Sequence, residues 1–410
     1  MSRRVVITGV GVLCSLGNSR QDLFEALRKN ESAVRLQENW SECDGLKTRL
    51  AAPLAVTPDI SKFSKKLLRS TGGVAQYALV ATSQALDDAG LTDLGTIDLS
   101  RIGVAYGSGF GAAEGFVEFG KFMETSSTRG LSAGTYHKIM AHTCATHVAL
   151  CFGAQGRLIC TSTACTSGSQ AIGYGYETIL NGSQDIMLCG GAEELSLAVA
   201  AMFDVLCACS LECEDPHSAS RPFDRRRDGM VVGEGACTVV LEDLDHAIAR
   251  NANILAEVVA FSTNCDASHI TVPNRPTIEK CFIDALKQSG LRTRDIGYIN
   301  AHATGTLAGD ATEAAATANV YGNEIPVSSL KGHLGHTLGA CGAIEFAATI
   351  EAMRQEWIPP TRNLEQVDRE CDGLFHVMTE GIPAKFTAAV CNTVAFGGVN
   401  TSLIIKAFNA

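Results

Sequence analysis

One cysteine in the stretch TSTACTSGSQAIGYGYETI, residues 161–179, stands among small hydroxylic residues at the head of a helix-like run. The preceding RLICTSTAC has the β-branched, apolar character of a strand, so Cys165 falls at a strand-to-helix turn. A helix N-terminus carries unsatisfied N–H groups and the positive end of the helix dipole, which would stabilise a thiolate. Ala164, Ser167 and Gly168 are small enough to let another molecule reach the sulfur. Local context alone leaves two readings open, a nucleophile or a buried core thiol. The second is the default for the other cysteines among the 16 in the chain.

Two later stretches bear on that choice. YINAHATGTLAGDATEAAA ends an apolar strand in His302 and runs through Thr304 and Thr306 to Asp310 and Glu313. A histidine at a strand end projects into a cleft more readily than one inside a helix. VSSLKGHLGHTLGACGAIEFAATI then places Lys331 and His336 in a glycine-rich approach to an apolar helix that carries Glu345. A lone histidine is more often structural than catalytic, but a nucleophile-like cysteine with two such histidines and a lysine favours chemistry. The His142, Cys144 and His147 cluster in AHTCATH lacks a second ligand pair at suitable spacing, and the chain has no Cys-x-x-Cys pair. No metal site is expected.

The elements that must position these residues read as α/β. RRVVITG, RIGVAYGSG, DIMLCGG, ACTVVLE, AEVVAF and IGYINAH are strand-like, and they alternate with amphipathic segments. In VAQYALVATSQALDDAG, residues Val74, Ala78, Ala81 and Ala85 recur at helical spacing before a stop at Gly90. VGEGACTVVLEDL (232–244) and FGGVNTSLIIKAF (396–408) echo one another, each running from glycines into a β-branched strand. The echo suggests a duplicated fold, with a boundary near residue 248 in EDLDHAIARNANI. Residues 1–248 would then carry the nucleophile and residues 249–410 the histidines.

At 46% hydrophobic the chain can bury a large core, and a net charge of −11 argues against nucleic acid as a general partner. No apolar run approaches the roughly 20 residues that span a bilayer. The opening MSRRVVITGVGVLCSLG lacks a signal-peptide cleavage site, and the cysteines are scattered through apolar runs. Reduced thiols and a cytoplasmic location are expected.

The motifs taken together resemble the β-ketoacyl-(acyl carrier protein) synthases of the condensing-enzyme family, near the elongating type of bacterial fatty acid synthesis and the type II polyketide ketosynthases. They run in order along almost the whole chain: RRVVITGVG, TACTSG, GGAEE, SRPFDRRRDGMVVGEGA, DASHITVPN, NAHATGT, SSLKGHLGHTLGACGAIE and FGGVN. The resemblance implies a thiolase-like α/β fold, two similar halves stacked as α-β-α-β-α layers and normally dimeric. It also implies that Cys165 takes an acyl chain as a thioester, and that a malonyl group loses carbon dioxide to give an enolate that attacks it. His302 and His336 match the histidines that donate hydrogen bonds to the malonyl thioester oxygen, and the N–H groups of Cys165 and Phe396 match an oxyanion hole. Lys331 and Glu345 match a buried ion pair. Thr304 and Thr306 match residues that hold the pantetheine amides, with Thr271 and Phe203 counted among the lining residues. Phe396 matches a gating phenylalanine, and Phe110 a position at the end of the acyl pocket. No metal or redox cofactor is implied.

Acyl carrier protein is the implied partner. KFSKKLLR places Lys62, Lys65, Lys66 and Arg69 at i, i+3, i+4 and i+7, one face of a helix matching a docking region. HATGTLAGD lacks a proline common in the fatty-acid enzymes, and Ala395 stands where glycine is usual, which would stiffen the gating loop. TACTSGSQAIGYGYE and GGAEELS lie nearer the ketosynthases of polyene or polyketide clusters, such as aryl polyene pathways. That placement implies either a homodimer or a heterodimer with a ketosynthase-like chain-length subunit. Two alternatives stand beside this reading. A thiolase acting on CoA thioesters would need a second catalytic cysteine, and neither Cys341 nor Cys391 has that motif. A non-catalytic chain-length partner would lack the nucleophile that this chain retains.

Overall fold

The β-branched runs pair into one mixed sheet, and the computed structural model describes residues 3–408. Its strands are β1 (Val5–Cys14), β2 (Ile102–Gly107), β3 (Leu158–Thr161), β4 (Ile186–Glu193), β5 (Gly235–Asp243), β6 (Ala256–Cys265), β7 (Tyr298–Asn300), β8 (Pro326–Ser328), β9 (Phe375–His376), β10 (Ala388–Val394) and β11 (Val399–Lys406). They lie in the order β9-β8-β7-β10-β11-β6-β1-β5-β4-β2-β3. From β1 outward the pairings to β5 and β4 are antiparallel, and those on to β2 and β3 are parallel. From β6 outward the same sequence recurs, antiparallel to β11 and β10, then parallel to β7 and β8. The echoed stretches form β5 and β11, the second strand of each series. β1 and β6 join the two series through only three residue pairs, Val5↔Val258 to Ile7↔Ala256.

Helices cover both series. α1 (Gly73–Asp88) and α2 (Thr143–Phe152) pack outside the first, and α4 (Arg275–Ser289) and α5 (Leu307–Tyr321) outside the second. Between the two series lie α3 (Ser167–Leu180) and α6 (Cys341–Arg354). Every residue of α6 from Cys341 to Met353 is buried, as expected of a helix with sheet on both sides. α1 buries Val74, Ala78, Ala81 and Ala85 on its sheet face and stops where Gly90 adopts φ +68°. A short helix, Leu244–Ala249, makes the passage from β5 to β6.

Close approach in the middle layer depends on glycine. A Cβ on Gly173 of α3 would lie 2.2 Å from the ring of Phe261 on β6, itself 3% exposed. Gly173→Ala is therefore expected to overpack the core, lowering stability by about 1–3 kcal/mol in a denaturant titration. An unchanged midpoint would show that this contact yields without strain.

Candidate active site

Cys165 lies in a 3-10 turn, Ala164–Thr166, that leads into α3. Ala164 has φ +51°, a left-handed conformation costing an ordinary residue roughly 1–2 kcal/mol. The turn recurs in the second half, where Leu338 (φ +48°) opens the 3-10 turn Leu338–Ala340 ahead of α6. One copy of this strained device presents Cys165, and the other presents Gly339. A Cβ at Gly339 would meet Gly109 N at 2.6 Å and Glu193 Oε2 at 2.8 Å, so the two halves close only around glycine there.

His336 belongs to the second half, but its backbone is held by the first. Its N–H donates to Val231 O at 2.7 Å, and Gly233 N–H donates to its carbonyl at 2.8 Å. That clamp puts His336 Nε2 3.0 Å from Cys165 Sγ. His302 follows β7, and its ring stands edge-on to that of His336 with centroids 5.1 Å apart. The His302 and Ala303 N–H groups both donate to Glu313, each at 2.7 Å, and those of Thr304 and Gly305 donate to Asp310. Burial pushes Glu313 up to about 7 and Asp310 to about 6, against the pull of those N–H donors. Behind the histidines Lys331 Nζ meets Glu345 Oε1 at 2.5 Å, with both residues buried. Burial and then the Lys331 charge hold both His302 and His336 well below the ordinary imidazole range, so both rings are neutral.

The thiol departs from the expectation at a helix N-terminus. Burial pushes Cys165 up to about 11, and Lys331 and the N–H groups of Phe396 and Cys165 itself pull down only part of that rise. Desolvation outweighs the dipole because the sulfur is enclosed, and the resting group is a thiol.

A cavity of about 300 Å³ opens onto this cluster. Cys165, His302, His336, Thr304, Thr306, Thr271, Phe203 and Phe396 all line it. The rings of Phe203 and Phe396 lie 5.7 Å apart, and the Thr304 and Thr306 hydroxyls 3.0 Å apart. The left-handed geometry of the gating turn is met by Gly397 (φ +87°) and Gly398 (φ +74°), so Ala395 fits there without a positive φ. Phe110 is not among the cavity-lining residues; its ring packs on Phe116 at 4.7 Å.

The basic stretch differs from its expected geometry. Its helix is a single turn, Lys65–Leu68, with Ser64 as an extended N-cap that accepts Leu67 N–H. Lys62 lies before that cap, bonded to Ser83 Oγ at 2.7 Å and set over the Phe63 ring. Lys62, Lys65, Lys66 and Arg69 are all exposed but do not share a helix face.

His142, Cys144 and His147 do not converge: Cys144 Sγ contacts Val74 O, while His147 bonds Thr143 O and Ser70 Oγ. Among the described residues, the groups with suitably close ligand atoms are Cys165, His302, His336 and His302, Cys341, Glu345. In both histidines Nδ1 is buried without a partner. An orphaned N–H is costlier than an orphaned lone pair, so the ring proton is assigned to Nε2. That tautomer suits donation to a substrate oxygen rather than ligation. Glu193, at the end of β4, was visible in the sequence only as part of GGAEE. It is fully buried and joins segments from both halves.

A duplicated α-β-α-β-α sandwich, with a thiol from one half meeting two neutral imidazoles from the other, defines a thiolase-like condensing enzyme. The chain belongs to the β-ketoacyl synthase family: residues 2–247 match its "Beta-ketoacyl synthase, N-terminal domain" and residues 255–365 its "Beta-ketoacyl synthase, C-terminal domain". It is 35% identical to the 3-oxoacyl-[acyl-carrier-protein] synthase 2 of Coxiella burnetii, over 98% of each chain. A β-ketoacyl synthase from Burkholderia phymatum superposes with a TM-score of 0.97 at 45% identity, covering 99% of this chain and 100% of that one. The ishigamide ketosynthase/chain length factor superposes at 0.90 with 31% identity, covering 100% of both chains. A type II polyketide ketosynthase solved with its acyl-carrier protein, AntDE:AntF, gives 0.90 at 28% identity, again over 100% of both. The activity is that of an acyltransferase, the β-ketoacyl-ACP synthase condensation of fatty acid or polyketide synthesis. Among the described residues no helix is long and apolar enough to cross a membrane.

Proposed function

We propose that Cys165 is the acyl carrier of this condensation and that His302 and His336 stabilise the enolate. The observation that carries the reading is the 3.0 Å approach of His336 Nε2 to Cys165 Sγ in the lining of the cavity, with His302 beside it. The Cys165 sulfur attacks the acyl thioester carbonyl, and the oxyanion forms against the N–H groups of Cys165 and Phe396. Collapse expels the pantetheine thiolate, which takes the proton that Cys165 gives up. Malonyl thioester then enters past Thr271, Thr304 and Thr306. Its C–C bond breaks, carbon dioxide leaves, and the enolate oxygen collects the two Nε2–H donors. The enolate carbon attacks the Cys165 thioester, the C–S bond breaks, and a β-ketoacyl thioester longer by two carbons departs, leaving a Cys165 thiolate that regains its proton from water. Phe396, resting on Phe203, gates the passage between acyl and malonyl sites.

Both substrates arrive on acyl carrier protein in this reading, and the second subunit is either another copy or a ketosynthase-like chain-length subunit. Support comes from the relatives solved with a carrier protein and with a chain length factor, and from the exposed Lys65, Lys66 and Arg69 on an otherwise acidic chain. Lys65→Glu with Lys66→Glu is expected to raise KM for acyl carrier protein several-fold and flatten its salt dependence, leaving turnover of acyl-pantetheine unchanged. An unchanged KM would remove this turn from the docking surface.

Intact-mass spectrometry tests the central assignment. Wild type incubated with acyl carrier thioesters gains the acyl mass, discharged by malonyl-carrier protein as a product two carbons longer; Cys165→Ser gains nothing stable. Equal acylation of the variant would transfer the role to another thiol.

A further inference from the structure

Glu193 has no place in the steps above, yet it is 0% exposed and collects donors from two segments, one in each half. Its Oε2 accepts Gly109 N–H at 2.7 Å and Gly339 N–H at 3.1 Å, while Oε1 accepts Phe110 N–H at 3.2 Å. Ser108 Oγ lies 3.4 Å from Oε1. Gly109 and Phe110 follow β2 in the first half. Gly339 lies three residues after His336, in the second half's copy of the nucleophile turn. Cβ atoms built on Gly109 and Gly339 would each lie 2.8 Å from Glu193 Oε2, so both glycines make room for the carboxylate. Its negative charge also reaches the nucleophile, where it opposes thiolate formation.

We propose that Glu193 is a positioning residue for the condensation, whose carboxylate locks the loop of Gly109 and Phe110 to the turn that follows His336. This rests on Cys165 as the nucleophile. Two properties follow that a packing residue would lack. The three N–H groups demand acceptors only, so an amide, which turns an NH2 toward at least one of them, breaks the lock. The charge disfavours the thiolate, so its removal eases ionisation of Cys165 even while geometry is lost. The charged or titratable groups around it are Glu194, which neighbours it in the chain, Cys144 and Cys165, with Lys331 acting on the thiol from the other side.

The experiment pairs Glu193→Gln and Glu193→Asp with wild type, reading iodoacetamide alkylation of Cys165 against pH, steady-state condensation, and thermal melting. Glu193→Gln is expected to alkylate at lower pH than wild type yet condense about 10- to 100-fold more slowly, the scale of a lost charge-assisted hydrogen bond. Glu193→Asp keeps the charge, so its alkylation limb stays near that of wild type while condensation falls. In wild type, burial pushes Glu193 up to about 7, so alkylation should depart from a single ionisation near that pH. That last measurement stands even if neither variant folds. A single ionisation in wild type, or a Glu193→Gln protein that matches wild type in alkylation and condensation, overturns the proposal. Failure of wild type to alkylate at Cys165 at all would instead overturn the nucleophile assignment.

Discussion

His302→Ala and His336→Ala are each expected to slow condensation by about 10²- to 10³-fold, the usual loss on removing one preorganised donor to a developing oxyanion. The loss should fall on kcat rather than KM, since the donors gain strength only as the enolate forms. His336→Asn, which keeps an N–H, should recover part of the rate. The pH profile gives an independent reading. Both rings donate from Nε2–H as neutral imidazoles, and burial and then Lys331 hold both well below the ordinary 6.5, so neither changes protonation state as pH falls through that value. Decarboxylation of malonyl thioester should therefore stay level as pH falls through 6.5 and change only at more acid values. A limb at 6.5, or an alanine variant with wild-type kcat, would show that the histidines serve some other purpose.

Much of this arrangement was legible in the sequence, and the failures have physical causes. The duplication could be read because β5 and β11 lie at equivalent positions between antiparallel neighbours, and so carry the same glycine-to-β-branched pattern. The catalytic turn could be read from strand character, small residues and helix character in succession. Its electrostatics could not, because the Cys165 pKa depends on enclosure by the opposite half, which no local window contains. The clamp of His336 between Val231 and Gly233 was hidden for the same reason, joining backbones about a hundred residues apart. Glu193 fell between the two cases: a carboxylate ending an apolar strand is a visible oddity, but its partners come from two distant loops. The basic stretch misled by its helical period. The spacing Lys62, Lys65, Lys66, Arg69 holds on paper, but Ser64 accepts Leu67 N–H and starts the helix inside that run. A capping serine competes locally with the backbone ladder, and it overrides a periodicity of only eight residues.

Lys331→Met carries the largest expected loss of stability. The ammonium and the Glu345 carboxylate are both sealed in the core at 2.5 Å, and Glu345 Oε2 has no partner besides. Burial pulls the lysine down, but Glu345 more than offsets it and holds it above the ordinary ammonium range. Removing one member of such a pair strands the other, at a cost of about 3–5 kcal/mol measurable by denaturant titration. The pH dependence of that deficit has a definite sign. Without Lys331, Glu345 stays protonated in the folded state but ionises in the unfolded chain near 4.5, so the variant loses further stability as pH rises above 4.5. Lys331→Met with Glu345→Leu should regain much of the loss, since two apolar side chains need no partners. What the double variant cannot regain is the field on the histidines. With the lysine charge gone, the pKa of His302 and His336 rises and the acid limb of decarboxylation moves to higher pH in single and double variants alike. A double variant that recovers both stability and the wild-type pH profile would reduce the pair to a structural element; recovery of stability alone separates its two roles, holding the core together and keeping both imidazoles neutral.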